Sequence, residues 1–141
     1  MNGRTADVIL VEDSDEDAEL ALRGLRKQKV ANGVHRLHDG AAALEFFFAQ
    51  GEPVPSAKVI LLDLKLPKVH GLEVLRRLKE DPRTQPIPVV MLTSSKEDRD
   101  LAEAYRLGVN SYIVKPVEFD KFMTTLECIG TYWLTLNQLP A

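Results

Sequence analysis

Short apolar runs that each stop on a chemically active polar residue limit what this chain can fold into more than any other feature. Val8-Ile9-Leu10-Val11 stops on Glu12 and Asp13, Val59-Ile60-Leu61-Leu62 on Asp63, Ile87 to Leu92 on Thr93, and Ser111 to Val114 on Lys115. Short runs of this kind, bounded by Pro or turn residues, suit strands buried on both faces of a sheet. Segments of helical spacing lie between them. Ala18, Ala21, Leu22 and Leu25 follow the first run, with Ser14 as the expected cap. Ala41, Leu44, Phe47 and Phe48 follow Asp39-Gly40. Leu72, Leu75 and Leu78 follow Gly71, leaving Arg76, Arg77 and Lys79 as a solvated face. Ser94 or Ser95 is the expected cap of a fourth helix that Gly108 ends, and Phe119, Phe122, Met123 and Leu126 mark a fifth that continues towards Trp133. A more polar run, Val34 to Leu37, entered through Asn32-Gly33, reads as an edge strand.

Strands alternating with helices imply βαβ units, a parallel sheet and helices on both faces. For five strands the expectation is a doubly wound (βα)5 flavodoxin-like α/β sandwich of three layers, with sheet order 2-1-3-4-5. The switch point of that order lies between strands 1 and 3, the two that end in acids. All the polar strand ends then share one rim, where such sheets place their ligands.

With 141 residues, 45% of them hydrophobic, the chain fits one domain with a full core. A formal charge of -3 with Lys and Arg spread along the chain argues against general nucleic-acid binding. Cys128 is the single cysteine, so neither a disulfide framework nor a thiolate metal cluster is available, as in a reducing cytoplasm. No signal peptide and no membrane-spanning run is apparent, and a cytoplasmic protein is expected. His35, His38 and His70 lack ligand spacing and read as surface residues.

Carboxylates gathered from Glu12, Asp13 and Asp63 would repel one another unless cations compensated them. Lys115 supplies one positive charge. The remaining hard-oxygen donors fit Mg²⁺. A metal, an ammonium and a hydroxyl converging on one carboxylate are the parts needed for phosphoryl transfer to Asp63. Asp15 to Asp17, by contrast, read only as acids favoured at a helix start.

In order and spacing these residues resemble the receiver domains of two-component response regulators. Thr93 lies 30 residues past Asp63, and Lys115 a further 22. Pro67 and Gly71, four and eight past Asp63, match the turn after the family's phosphoacceptor. The resemblance implies Asp63 as phosphoacceptor and Thr93 as switch hydroxyl. It makes Tyr112 the rotating aromatic and Lys115-Pro116 a Lys–Pro pair whose peptide bond is usually cis. Asp13, Asp63 and the backbone carbonyl of Lys65 would bind Mg²⁺ directly, with Glu12 acting largely through water. The Lys65 side chain occupies a variable position of the family that faces the phosphoryl group. The loop from Gln50 to Ala57 is longer than in minimal receivers.

The C-terminal stretch containing Tyr132 and Trp133 resembles the stand-alone regulators paired with bacterial phytochrome histidine kinases. The implied organisation is a tail over residues 1–6, a receiver over 7–127 and a helix-5 extension over 128–141. The implied partners are a bacteriophytochrome-type kinase and a second copy of the chain. Dimer contacts would come from helix 4, strand 5, helix 5 and the extension. No output domain follows Ala141 on this reading, so signalling would pass through protein contacts.

Three other readings compete. A haloacid dehalogenase-like phosphatase needs a general acid two residues past its nucleophile, where this chain has Lys65. A flavodoxin-like cofactor binder needs a phosphate-cradling loop where this chain has Glu12 to Asp17. A non-switching dimeric scaffold would leave the full set of polar strand ends without a role.

Overall fold

The computed structural model describes residues 5–28 and 33–140. Five strands, β1 (Val8–Val11), β2 (Val34–Leu37), β3 (Val59–Leu62), β4 (Val89–Thr93) and β5 (Ser111–Val114), alternate with helices. These are α1 (Asp15–Leu25), α2 (Gly40–Phe48), α3 (Gly71–Glu80), α4 (Asp98–Arg106) and α5 (Phe119–Gly130), the last running into a π-helical turn over Thr131–Leu136. All strand pairs are parallel and the order is β2-β1-β3-β4-β5, the doubly wound arrangement expected from the pattern. Asn32 of the expected Asn32-Gly33 turn lies outside the described residues, as do residues 1–4 of the expected tail. Gly33 itself has φ 79°, as a turn glycine can.

Alternation along the strands builds two cores. Ile9, Val11, Ile60, Leu62, Val89 and Met91 face α2 and α3 through Phe47, Val74, Leu75 and Leu78. Val8, Leu10, Val59, Leu61, Val90 and Leu92 face α1 and α5 through Ala18, Ala21, Leu25, Phe122 and Leu126. Gly24 makes the second core possible, because a Cβ there would stand 2.6 Å from Leu126 Cβ. Removing this much apolar surface from water, at about 25 cal/mol per Å², is the main favourable contribution to folding.

Several local expectations shift in the structure. β4 starts at Val89 rather than Ile87, since Pro88 has no N–H for the ladder, although its carbonyl accepts from Ile60 N at 2.8 Å. The buried line of α2 runs through Gly40, Ala43 and Phe47, with Ala41, Leu44 and Phe48 only partly covered. Ser14 caps α1 as expected, accepting from Asp17 N. Neither Ser94 nor Ser95 caps α4, which begins at Asp98. Ser95 Oγ instead donates to Asp100 Oδ2 at 2.6 Å. His70 caps α3, with Nδ1 accepting from Leu72 N at 3.2 Å.

The basic residues of α3 also divide. Arg76 pairs with Glu73 and Glu80, and Arg77 lies over the Phe48 ring. Lys79 folds inward and donates to the carbonyls of Gln85 and Ile87, both at 2.9 Å. A long aliphatic stem with a hydrogen-bonded tip makes that burial tolerable. Among the described residues, no helix is long and apolar enough to cross a membrane.

Candidate functional site

Parallel register brings the strand ends together. Val11 pairs with Leu62, so Glu12 and Asp63 leave adjacent strands side by side, with Asp63 N donating to Val11 O at 3.1 Å. Thr93 pairs with Val114 at the far end of the rim, and Lys115 N donates to Thr93 O at 2.7 Å. Glu12, Asp63 and Thr93 are buried, and Asp13 is exposed.

One carboxylate oxygen from each of Glu12, Asp13 and Asp63 lies within 4.8 Å of the others. Lys115 projects into this cluster from the end of β5. Its Nζ lies 2.6 Å from Glu12 Oε1, 2.8 Å from Asp17 Oδ2 and 3.5 Å from Asp63 Oδ2. Burial opposes the Lys115 charge, but hydrogen bonds to Asp17 and Glu12 and the field of Asp63 outweigh it and hold the ammonium protonated well above its ordinary range. Burial pushes the Glu12 carboxyl up to about 7, despite the hydrogen bond and charge of Lys115, and the Asp63 charge adds to the rise. Four carboxylates gathered about one ammonium leave an excess of negative charge on hard oxygen, and the Glu12, Asp13 and Asp63 set among them fits a hard divalent cation.

The backbone around the acids is held from outside. Arg36 of β2 donates through Nε and Nη2 to the carbonyl of Glu12, at 3.1 and 2.9 Å, and through Nη1 to Asp15 Oδ1 at 2.7 Å. Glu12 Oε2 accepts from Ser14 N at 3.1 Å. On the other side, the turn after Asp63 closes with Gly71 N donating to Leu64 O at 2.7 Å. A Cβ on Gly71 would stand 2.2 Å from the Asp63 carbonyl oxygen, so only glycine lets α3 begin so near the acid. Lys68 in the same turn has φ 69°, a left-handed conformation that costs a non-glycine residue about 1 kcal/mol or more. The Lys65 side chain is exposed on this turn.

Thr93 Oγ1 accepts from Ser95 N at 3.3 Å, and Tyr112 OH donates to Ser95 O at 3.1 Å. Tyr112 and Thr93 therefore act on the same residue of the loop between β4 and α4. Burial raises the Tyr112 hydroxyl above its ordinary value, so it stays a donor at neutral pH. The Lys115–Pro116 bond is trans, as are all peptide bonds among the described residues, which corrects the expected cis bond. Trans is the lower-energy form of an X–Pro bond by about 0.5–1 kcal/mol.

The C-terminal pair separates on folding. Tyr132 is 49% exposed, whereas Trp133 is half-buried against the α1–α5 core and meets Tyr132 edge to face at 4.9 Å. The wider π-helical turn, closed by Asn137 N donating to Tyr132 O at 2.7 Å, lets Trp133 and Leu134 turn towards the core. The residue missed by sequence reasoning is Asp17. Its place one helical turn past Asp13 aims it at the same rim, a signal hidden by its simpler role as a helix-start acid.

This geometry has known counterparts. The chain matches the response regulator receiver domain over residues 8–127. It belongs to the response regulator receiver family. Among relatives, receiver residues here are 41% identical over 134 residues to the probable methanogenesis regulatory protein FilR2 of Methanothrix harundinacea, covering 94% of this chain and 86% of FilR2. They are 38% identical over 136 residues to response regulator Rcp1 of Synechocystis sp., covering 95% and 92%. The Mn²⁺-bound crystal structure of Rcp1 superposes with TM-score 0.87, covering 96% of this chain and 99% of Rcp1. The bacteriophytochrome response regulator AtBRR is 47% identical, with TM-score 0.68 and coverage of 93% and 96%. The receiver fold and its place in two-component signalling are thereby established for this chain.

Proposed function

We propose that this receiver accepts a phosphoryl group on Asp63 from the phosphohistidine of a sensor histidine kinase of the bacteriophytochrome type. The observation that carries the reading is the convergence of Lys115, Glu12 and Asp13 on Asp63 at the rim between β1 and β3. A carboxylate oxygen of Asp63 attacks phosphorus as the P–N bond breaks. The electron pair returns to the departing imidazole, which takes a proton from solvent. Lys115 stands ready beside the acceptor to neutralise a phosphoryl oxygen. Asp13, Asp63 and the Lys65 carbonyl, with Glu12 behind them, would hold Mg²⁺, which supplies charge neutralisation to the transferring group. The Mn²⁺-bound form of Rcp1 and the hard-oxygen donor set support that assignment. The phytochrome pairing is supported by the likeness to AtBRR over nearly the whole chain.

The same residues carry the switch. A phosphoryl oxygen draws the Thr93 hydroxyl away from Ser95 N, the loop before α4 shifts, and Tyr112 loses its bond to Ser95 O and turns inward. The face made by α4, β5 and α5 then changes its binding preference. Leu101, Tyr105 and Tyr132 are exposed on or beside that face, and a groove lined by Ile113, Ile129 and Trp133 runs along it. These apolar residues support its use as a homodimer or partner contact. Phosphorylation of Asp63 is not a turnover reaction on external phosphoesters, since Lys65 stands where a phosphatase of this nucleophile class has its general acid.

Incubation with acetyl phosphate and Mg²⁺, followed by intact mass, tests the acceptor. One added phosphoryl group on the wild type and none on Asp63→Asn is the expected result. No adduct on the wild type, or an equal adduct on Asp63→Asn, refutes it.

A further inference from the structure

The Lys115 ammonium is shared unequally among its acids. Nζ makes hydrogen bonds to Glu12 and Asp17, at 2.6 and 2.8 Å, and stands 3.5 Å from Asp63. An ammonium has three donors, so two are already committed away from the proposed acceptor. The two partners differ in setting. The Glu12 side chain is 5% exposed and that of Asp17 is 33% exposed. Glu12 is the buried anchor of the ammonium, enclosed in the interior and fixed in place by the hydrogen bond that its other carboxylate oxygen accepts from Ser14 N. Asp17 sits at the mouth, where water can take over from Lys115 at small cost. The Asp17 carboxylate also has no duty in capping α1, because Ser14 Oγ fills that role.

We infer that Asp17 is a latch for the unphosphorylated state, a positioning residue whose carboxylate holds the Lys115 ammonium away from Asp63 and gives it up when a phosphoryl group arrives there. This rests on the reading of Asp63 as phosphoacceptor. Two effects act in one direction. Asp17 competes for a donor that the phosphoryl group needs, and its own charge repels an incoming anion. A passive strut would act the other way, since removing a strut weakens the site. The Glu12 contact already serves as the strut.

Beryllofluoride with Mg²⁺, titrated against the full chain and followed by amide NMR shifts, separates these roles. Asp17→Asn keeps the side-chain shape and is expected to bind beryllofluoride about tenfold more tightly than wild type, a typical coupling between linked sites. It is also expected to show a lower KM for acetyl phosphate. Unchanged or weaker binding overturns the latch. Retained binding by Asp63→Asn overturns the acceptor reading instead, so the two failures are distinct. A measurement on the wild type needs no variant to fold. The Asp17 carboxyl carbon resonance is expected to move when beryllofluoride binds, and a stationary resonance overturns the proposal.

Discussion

Replacing Lys115 with Met tests whether the rim is the electrostatic knot that the distances describe. Lys115 and Glu12 side chains are 10% and 5% exposed, and Asp63 is 11% exposed, so the ion pairs sit largely out of water. Removing one partner of a buried pair costs about 3–5 kcal/mol because the remaining charge is stranded. The lower end applies here. Glu12, already pushed up to about 7 by burial, can take up a proton once the ammonium is gone. The expected loss in metal-free buffer near neutral pH is therefore about 3 kcal/mol. For a domain of this size that lowers Tm by roughly 10 °C. Urea unfolding with and without MgCl₂ measures it. Added Mg²⁺ is expected to recover more stability in Lys115→Met than in wild type, because a bound cation replaces the missing charge. A loss below about 1 kcal/mol, the value of an exposed pair, refutes the reasoning. So does an equal Mg²⁺ response in the two proteins.

Gly71→Ala places a methyl group against the Asp63 carbonyl. Overpacking of this kind costs about 1–3 kcal/mol, and urea unfolding should show it together with slower acetyl phosphate labelling. Arg36→Ala frees the Glu12 carbonyl that two guanidinium N–H groups hold, and also removes the contact to Asp15. Mg²⁺ affinity by titration calorimetry is expected to fall by about tenfold, as for loss of a residue that orients ligands. Lys79 gives a pH signature. Burial lowers its pKa to about 8. As pH rises through that value the folded form sheds its proton, while the unfolded chain keeps it until about 10.4. The unfolded state then binds more protons, so stability rises across this window, on the order of 1 kcal/mol for a half-exposed group. Chemical denaturation of Lys79→Met should lack that rise.

The fold was legible because β1, β3 and β4 are apolar on both faces and each leads into or ends on a polar residue, the pattern of a covered parallel sheet, while the more polar β2 marks an edge. Period and punctuation located the elements, and their strand–helix alternation pointed to the parallel order that the structure shows. What sequence could not show was which way long side chains turn. Lys79 looks solvent-facing by spacing, yet finds two carbonyls after Pro82 and Pro86 shape the following loop. Trp133 looks unburied until the π-helical turn rotates it onto the core. Within the site, Asp63, Glu12 and Asp13 were visible as strand-end acids. Asp17 was not, because its contact with Lys115 spans 98 residues of sequence and exists only once α1 and β5 flank one rim. The α4 start was misplaced for a related reason, since Ser95 spends its hydroxyl on Asp100 rather than on the helix end.

The central claim is that Asp63, and no other carboxylate of the rim, carries the phosphoryl group. Its most direct test is borohydride reduction of acetyl phosphate-treated protein followed by peptide mass mapping. An aspartyl phosphate reduces to homoserine, so conversion at position 63 alone is predicted. Homoserine at position 12, 13 or 17, or none at 63 in protein that carries the adduct, would contradict the account.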